Sequence, residues 1–453
     1  MRGSGTRRVL FLQGATSPFW AELGGAFEAA GHEVFKINFC VADWVFWRRD
    51  GPVVNYKGSV EDWPSFLAEY LDAHGITDVL YYADQIPYHA CVPSLAKPRG
   101  VETYALEYGY VRPDWITLEK GGTGAFSHFP NDPEKIRGIA EQVEKPDLSI
   151  RYRHNFSTEA FYEVSFNLLD VLFPFFFPRY RADKFYHPLL DYGSWLMRLP
   201  RARELKRHAN RVCMKCFTEE WSYYLVALQL QSDYQIRSNS HYLHLREMMK
   251  DVIRSFAAHA PKNSKLIFKV HPLDNGYENW ARRVAHRARR LGVRTRVFVI
   301  EDGPLGSLVN NSKGVIVCNS TVGVLSLRAL RPTMVMGEAV YDMPGLTHQG
   351  NLDTFWTAAE DVDSRLAGDF VRAMTATIQV KGSFYNREGR KAAQQEIVRR
   401  VVAGEVNRFG AYVETPPRVA RLRARREKRR AAGLQAAKSG EAGPPAPIEP
   451  VNS

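Results

Sequence analysis

Lys269 and His271 stand at the end of the apolar run Leu266–Val270, and Asn319, Ser320 and Thr321 follow the run Gly314–Cys318 about fifty residues later. Short β-branched runs that stop abruptly at polar residues are the pattern of buried parallel strands whose carboxyl ends open into a ligand crevice. A helix is predicted to begin near Val322, so Ser320 or Thr321 would cap it and offer a hydroxyl beside its first backbone N–H groups. Together with a fixed cation and a titratable imidazole at a neighbouring strand end, this set would hold a phosphate or a nucleoside monophosphate. The same residues also read as a strand ended by His271-Pro272 and a helix capped by Ser320.

The elements that must carry these residues form two series. Val9–Leu12, a helical stretch near residues 20–30 and Val34–Phe39 give strand, helix, strand. Val79–Ala83 then ends at Asp84 and Gln85, and Glu102–Leu106 ends at Glu107, Tyr108 and Gly109. The alternation predicts a parallel sheet flanked by helices. The first loop, Gln13 to Phe19, lacks the GxGxxG and P-loop lysine patterns, so neither a dinucleotide nor an ATP cradle is indicated there; Gly14 would instead let a ligand approach the first helix. Gly121-Gly122-Thr123-Gly124 reads as a lid or as a simple turn.

A second series runs from about Tyr223 through 265–270, 294–300, 314–318 and 333–336. Between the two, Phe166 to Phe177 is densely aromatic and is followed by Arg179 and Arg181. This segment fits either an interfacial membrane contact or a buried inter-lobe helix. The fold expected is therefore α/β and GT-B-like, with two Rossmann-like lobes and the active site in the cleft between them. The chain divides into residues 1–155 (N-terminal acceptor and catalytic lobe), 156–222 (inter-lobe helical and aromatic segment), 223–405 (C-terminal nucleotide-sugar lobe) and 406–453 (basic, largely disordered tail).

Composition bounds the function. The 453 residues carry 45% hydrophobic and 24% charged side chains, as in globular proteins with room for two cores. No apolar run approaches the roughly 20 residues of a membrane span. The N-terminus lacks the pattern of a signal peptide, which predicts a cytoplasmic location. Five cysteines with a single CxxC, Cys213 and Cys216, give neither a disulfide framework nor a zinc set. From Pro416 onward, nine Lys or Arg face three Glu, half of the net charge of +12. That cluster suits an anionic membrane surface, or a solvated tail; nucleic acid is not expected, because no reading fold accompanies it.

With these residues in view, the chain resembles the KpsS/LipB-type capsule polysaccharide biosynthesis proteins. The likeness runs through Phe11-Leu12-Gln13-Gly14, Lys36-Ile37-Asn38-Phe39, Asp84 with Pro87-Tyr88-His89, and Glu107-Tyr108-Gly109-Tyr110-Val111-Arg112-Pro113-Asp114-Trp115. It continues in Lys269 to Asp274, Asn319 to Gly323 and Gly345-Leu346-Thr347, and covers about residues 8–405. The resemblance implies a retaining β-Kdo glycosyltransferase. Such an enzyme moves Kdo from CMP-Kdo to a lipid acceptor, lyso-phosphatidylglycerol, and so starts the linker of a capsular polysaccharide. Peripheral attachment to the inner face of the inner membrane and association with other capsule assembly proteins are expected with it; the basic tail falls outside the resemblance, and its charge alone suggests contact with anionic lipid. A non-catalytic export or assembly component that binds polysaccharide at the membrane is the alternative.

On that reading Lys269, His271, Asn319, Ser320 and Thr321 hold the donor, and Arg112 holds the Kdo carboxylate. Glu107 is the first candidate for nucleophile or base and Asp84 the second, with Asp114 and Glu119 in reserve. Gln13, Gly14 and His89 are expected at the acceptor loops. Related Kdo transferases carry a second acidic residue where this chain has Tyr108. No DxD spacing marks a metal site, so neither metal nor other cofactor is expected.

Overall fold

A computed structural model describes residues 5–438. The chain forms two compact units. The first contains the residues up to Pro130, Lys135–Asp183 and Val371–Pro416; the second contains Asn131–Glu134, Lys184–Phe370 and the residues from Pro417 onward.

The first unit is built on β1 (Arg8–Phe11), β2 (Glu33–Asn38), β3 (Val53–Asn55), β4 (Asp78–Tyr82), β5 (Glu102–Tyr108) and β6 (Trp115–Lys120). Its sheet has the order β12-β6-β5-β4-β1-β2-β3, where β12 is Gln379–Lys381. β1 to β5 pair in parallel, while β6 and β12 are antiparallel to their predecessors. Val9, Leu10 and Phe11 are sealed on both faces, which is why the strand reads as an unbroken apolar run rather than an alternation. Successive residues feed opposite faces: Leu80, Tyr104 and Leu106 enter one core layer with Phe11 and Phe27, and Val79, Tyr81 and Ala105 enter the other with Trp63 and Leu67.

The second unit uses β7 (Tyr223–Ala227), β8 (Lys265–Lys269), β9 (Val297–Ile300), β10 (Gly314–Val317) and β11 (Thr333–Val335), all parallel, in the order β11-β10-β7-β8-β9. Both sheets thus reverse direction beside their first strand, at β1/β4 and at β7/β10. The crevice at the carboxyl ends of such a pair is where open α/β sheets bind ligands.

The expected α/β architecture with parallel sheets is present, but the boundaries differ from those read off the sequence. Helix Phe156–Leu172 belongs to the first unit and helices Pro188–Arg198 and Ala202–Thr218 to the second, so 156–222 is not one segment. The chain also returns to the first unit before residue 405, because Val380 pairs with Ile116 at the sheet edge.

The basic tail is corrected as well. Residues Val419–Lys438 form a helix, and its Arg421, Arg425, Arg426 and Arg429 are bound to protein groups. The Ala/Gly/Pro segment Gly440 to Pro450 lies outside the described residues. Among the described residues no helix is long and apolar enough to cross a membrane.

Candidate functional site

In the first unit the loops after β1 and β4 flank the switch point, and most residues expected there as ligands are committed to the fold. The Gln13 amide donates to the Tyr180 hydroxyl at 3.1 Å and toward the Asp43 carboxylate at 3.3 Å. Beside it, Lys36 is sealed and donates to the Leu12 and Ile37 carbonyls at 3.1 and 2.6 Å. Burial lowers the Lys36 pKa and raises that of Asp43. At Gly14 a Cβ would sit 2.3 Å from the Trp20 ring, so the close approach that requires glycine is made by an indole, not by a ligand.

Asp84 is also corrected. It is 1% exposed, and its two oxygens accept from the Thr123 hydroxyl at 3.0 Å and the Thr123 N–H at 3.1 Å. Burial raises its pKa, only partly offset by those donors. A carboxylate so placed anchors the 121–124 loop. His89 is equally sealed: Nδ1 faces the Tyr82 and Ala83 carbonyls at 2.8 and 3.0 Å, and burial drops its pKa to about 4. It is neutral, donating from Nδ1, and ties the β4 end to its own loop. The reserve candidates are structural too. Asp114 accepts from the Arg151 and Tyr152 N–H groups at 2.6 and 3.2 Å, and Glu119 accepts from Tyr110 and Ser127.

Glu107 differs from these four-square anchors: alone among the four acidic candidates it is part-exposed, with Oε1 accepting from the Tyr108 N–H at 3.0 Å. The strand alternation turns it to the face opposite Tyr108. Arg112 is exposed and places its guanidinium over the Tyr108 ring at 4.6 Å.

Sequence reasoning missed what surrounds Tyr108. Its hydroxyl donates to Glu159 Oε1 at 2.7 Å and meets the Tyr385 hydroxyl at 2.9 Å, while Glu159 Oε2 lies 3.0 Å from His154 Nε2. Burial acts to raise the Glu159 pKa, but these hydrogen bonds and the nearby Arg112 charge hold it below the ordinary value. A carboxylate therefore does stand beside Tyr108, supplied by the helix Phe156–Leu172. The signal available was Glu159 in the first turn of that helix, with His154 just ahead of it.

In the second unit the two strand ends that carry the expected donor residues are not adjacent. β7 lies between β8 and β10, so they stand about 10 Å apart. Lys269 is buried, and burial lowers its pKa against the opposing charge of Asp302. His271 Nδ1 accepts from the Leu273 N–H at 3.1 Å. Asn319 follows β10: Nδ2 donates to the Gln235 carbonyl at 2.8 Å and its N–H to Gln229 at 3.3 Å, leaving a buried Oδ1 without a hydrogen-bond partner. Ser320 Oγ accepts from Val322 N–H at 3.2 Å, whereas Thr321 makes no capping bond. Gly323 is dictated by packing, since a Cβ there would lie 2.2 Å from Tyr341, whose hydroxyl donates to the Ser320 carbonyl at 2.5 Å.

The segment after β11 and residues 237–240 are braced by Arg418 and the C-terminal helix that it precedes. Arg418 is wholly buried and donates to the Ala339 and Val340 carbonyls at 2.9 and 2.6 Å. Arg421 and Arg425 bind Glu338 at 2.6 and 3.0 Å. Arg426 reaches the Arg237, Ser238 and Ser240 carbonyls, and Arg429 lies over the Tyr242 ring at 4.7 Å. Glu338 in turn donates its N–H to the Asn239 carbonyl, beside the Asn319 amide. Five of the tail's cations thus serve the fold, which overturns the reading of the tail as an open polybasic surface. Among the described residues no three His, Cys, Asp or Glu side chains converge as a metal-ligand set.

The family described as "Capsule polysaccharide biosynthesis protein" matches residues 77–385. The chain belongs to this family. Within it, the chain is 30% identical over 384 residues to the capsule polysaccharide export protein KpsS of Escherichia coli, covering 84% of this chain and 97% of that one. It is 29% identical over 391 residues to the capsule polysaccharide modification protein LipB of Neisseria meningitidis serogroup B, covering 84% and 92%. The solved Thermosulfurimonas dismutans KpsC, a beta Kdo 2,7 transferase, is similar with a TM-score of 0.42 and 14% identity, over 87% of this chain and 98% of that one. The family match spans Asp84, Glu107, Arg112, the donor-end residues and Tyr385, but ends before the arginine helix.

Proposed function

We propose that this capsule biosynthesis protein is a glycosyltransferase that moves Kdo from CMP-Kdo to a lipid acceptor, lyso-phosphatidylglycerol, and so starts the linker of the capsule. The observation that carries the reading is the partial exposure of Glu107 at the carboxyl end of β5, while Asp84, Asp114 and Glu119 are buried. In this proposal Glu107 attacks the anomeric carbon, and CMP leaves with the bonding pair. The acceptor hydroxyl then displaces the carboxylate as its proton passes to a base, giving net retention. Arg112 is assigned to the sugar carboxylate, and His271, Ser320 and Thr321 to the nucleotide phosphate. Asp84, His89, Gln13, Lys269 and Asn319 are assigned to holding the loops that carry them. The proposal invokes no metal or other cofactor.

The test is release of CMP from CMP-Kdo by the purified protein with a short-chain lyso-phosphatidylglycerol, repeated in EDTA. Glu107→Gln should lower turnover about 10²–10⁴-fold with the fold unchanged. Turnover at the parent rate would remove Glu107 from the mechanism. A second reading, a non-catalytic export or assembly component, is favoured by the name of the E. coli relative. It predicts capsule-glycan binding without CMP release.

A further inference from the structure

Helix Phe156–Leu172 presents two apolar faces. Its inward face sets Tyr162 and Phe166 against Phe46, at ring distances of 6.1 and 5.7 Å, and Leu169 against Cys40 and Ala42. The outward face should be polar in a surface helix. Instead Phe161, Val164, Leu168 and Leu172, at helical spacing, are all exposed, Phe161 by 66% and Leu172 by 61%. The turn that follows extends the stripe with Phe173, Phe175 and Phe176, and Phe176 meets exposed Trp44 at 6.2 Å. Single exposed apolar side chains are ordinary, but a contiguous set of this kind marks an interaction surface. The whole stripe lies in the first unit.

We propose that this stripe docks the protein on an anionic lipid surface. Two observations favour lipid over another protein. The stripe is phenylalanine-rich with a tryptophan at its edge, the composition of elements that lie at the level of lipid headgroups. Exposed cations border it, Arg48 next to the Trp44 helix and Arg179 just after Phe177, and they would meet lipid phosphates while the rings enter the acyl boundary. The arginine helix is not the anchor, because its Arg421, Arg425 and Arg426 are already bound to Glu338 and to backbone carbonyls, leaving Arg423, Lys428 and Arg430 as its exposed cations. Docking by this face would also bring the Glu159 end of the helix to the membrane. The proposal does not depend on the chemistry proposed above, since binding is read without donor or turnover.

The test is sedimentation of the full-length protein with vesicles of phosphatidylglycerol and phosphatidylethanolamine. The variant F161Q/L168Q/F175Q should partition at least about tenfold more weakly, whereas R423Q/K428Q/R430Q, which removes exposed tail cations, should bind like the parent. Hydrogen exchange of the unaltered protein, which needs no variant, should slow in segment 156–176 when vesicles are added. Absence of vesicle binding, unchanged exchange in that segment, or loss of binding only in the tail variant would each overturn the proposal. So would a parent dimer that the aromatic variant converts to monomer while vesicle binding persists, which would make the face a self-association surface.

Discussion

Removing the two arginines that face Glu338 should destabilise the second unit by an amount the structure fixes. Glu338 is fully buried, and Arg421 and Arg425 are its cationic partners. Its pKa is already raised by burial against their attraction. In R421A/R425A the carboxylate would be stranded, at a cost of about 3–5 kcal/mol if it stayed charged. It has an escape, which is to take a proton. From an ordinary pKa of 4.5, neutralisation at pH 7 costs 2.5 units, or about 3.4 kcal/mol, and this caps the penalty. Asp342 keeps Thr347 as a donor and is not stranded. For a unit of this size the loss corresponds to about 7–14 °C in melting temperature. At pH 5 the cap falls to about 0.7 kcal/mol, so the deficit should nearly vanish. Adding Glu338→Gln should restore most of the stability at pH 7. Calorimetry across pH, with hydrogen exchange to locate the loss at 235–243 and 336–343, reads the effect. A double variant that melts like the parent at pH 7, or a deficit as large at pH 5 as at pH 7, would refute the reasoning.

Acid should weaken the second unit through His241, whose pKa falls to about 4 through burial and the charges of Arg429, Arg425 and Arg426. The unfolded chain takes up a proton below pH 6.5 that the folded state refuses, so stability declines from pH 6.5 to 4. The contribution is about 2 kcal/mol after solvent screening, and chemical denaturation of H241N should show a flatter profile over that range. Gly323→Ala should push Tyr341 off the Ser320 carbonyl and cost about 1–3 kcal/mol; calorimetric titration with CMP should show weakened binding, and unchanged affinity would remove this loop from the nucleotide site. Glu159→Gln and Tyr108→Phe should each lower kcat about tenfold or more while leaving CMP affinity intact. An equal loss of CMP affinity would instead point to general disruption.

Much of the scaffold was legible because its signals are local. Runs such as Val9–Phe11 and Leu266–Phe268 are apolar throughout because both faces of a central parallel strand are buried, and their ends mark the crevice side of each sheet. The candidate residues were legible as strand ends, but not the state of each one. Asp84 and Glu107 both follow apolar strands, yet one is sealed by Thr123 and the other reaches solvent, a difference set by a loop some forty residues away. Glu159 was hidden among aromatic residues because only helix docking brings it to Tyr108.

The sequence by itself determined two α/β units, the polar strand ends and membership in the capsule biosynthesis family, all carried by residue type and short-range period. Tertiary structure alone decided that β7 separates β8 from β10, that β12 returns to the first sheet, and that the arginine run braces the segment after β11 and residues 237–240 after β7. Strand order and ion-pair choice depend on partners distant in the chain. A guanidinium carries the same charge whether it meets water, lipid phosphate or a buried glutamate, and only the fold selects among them.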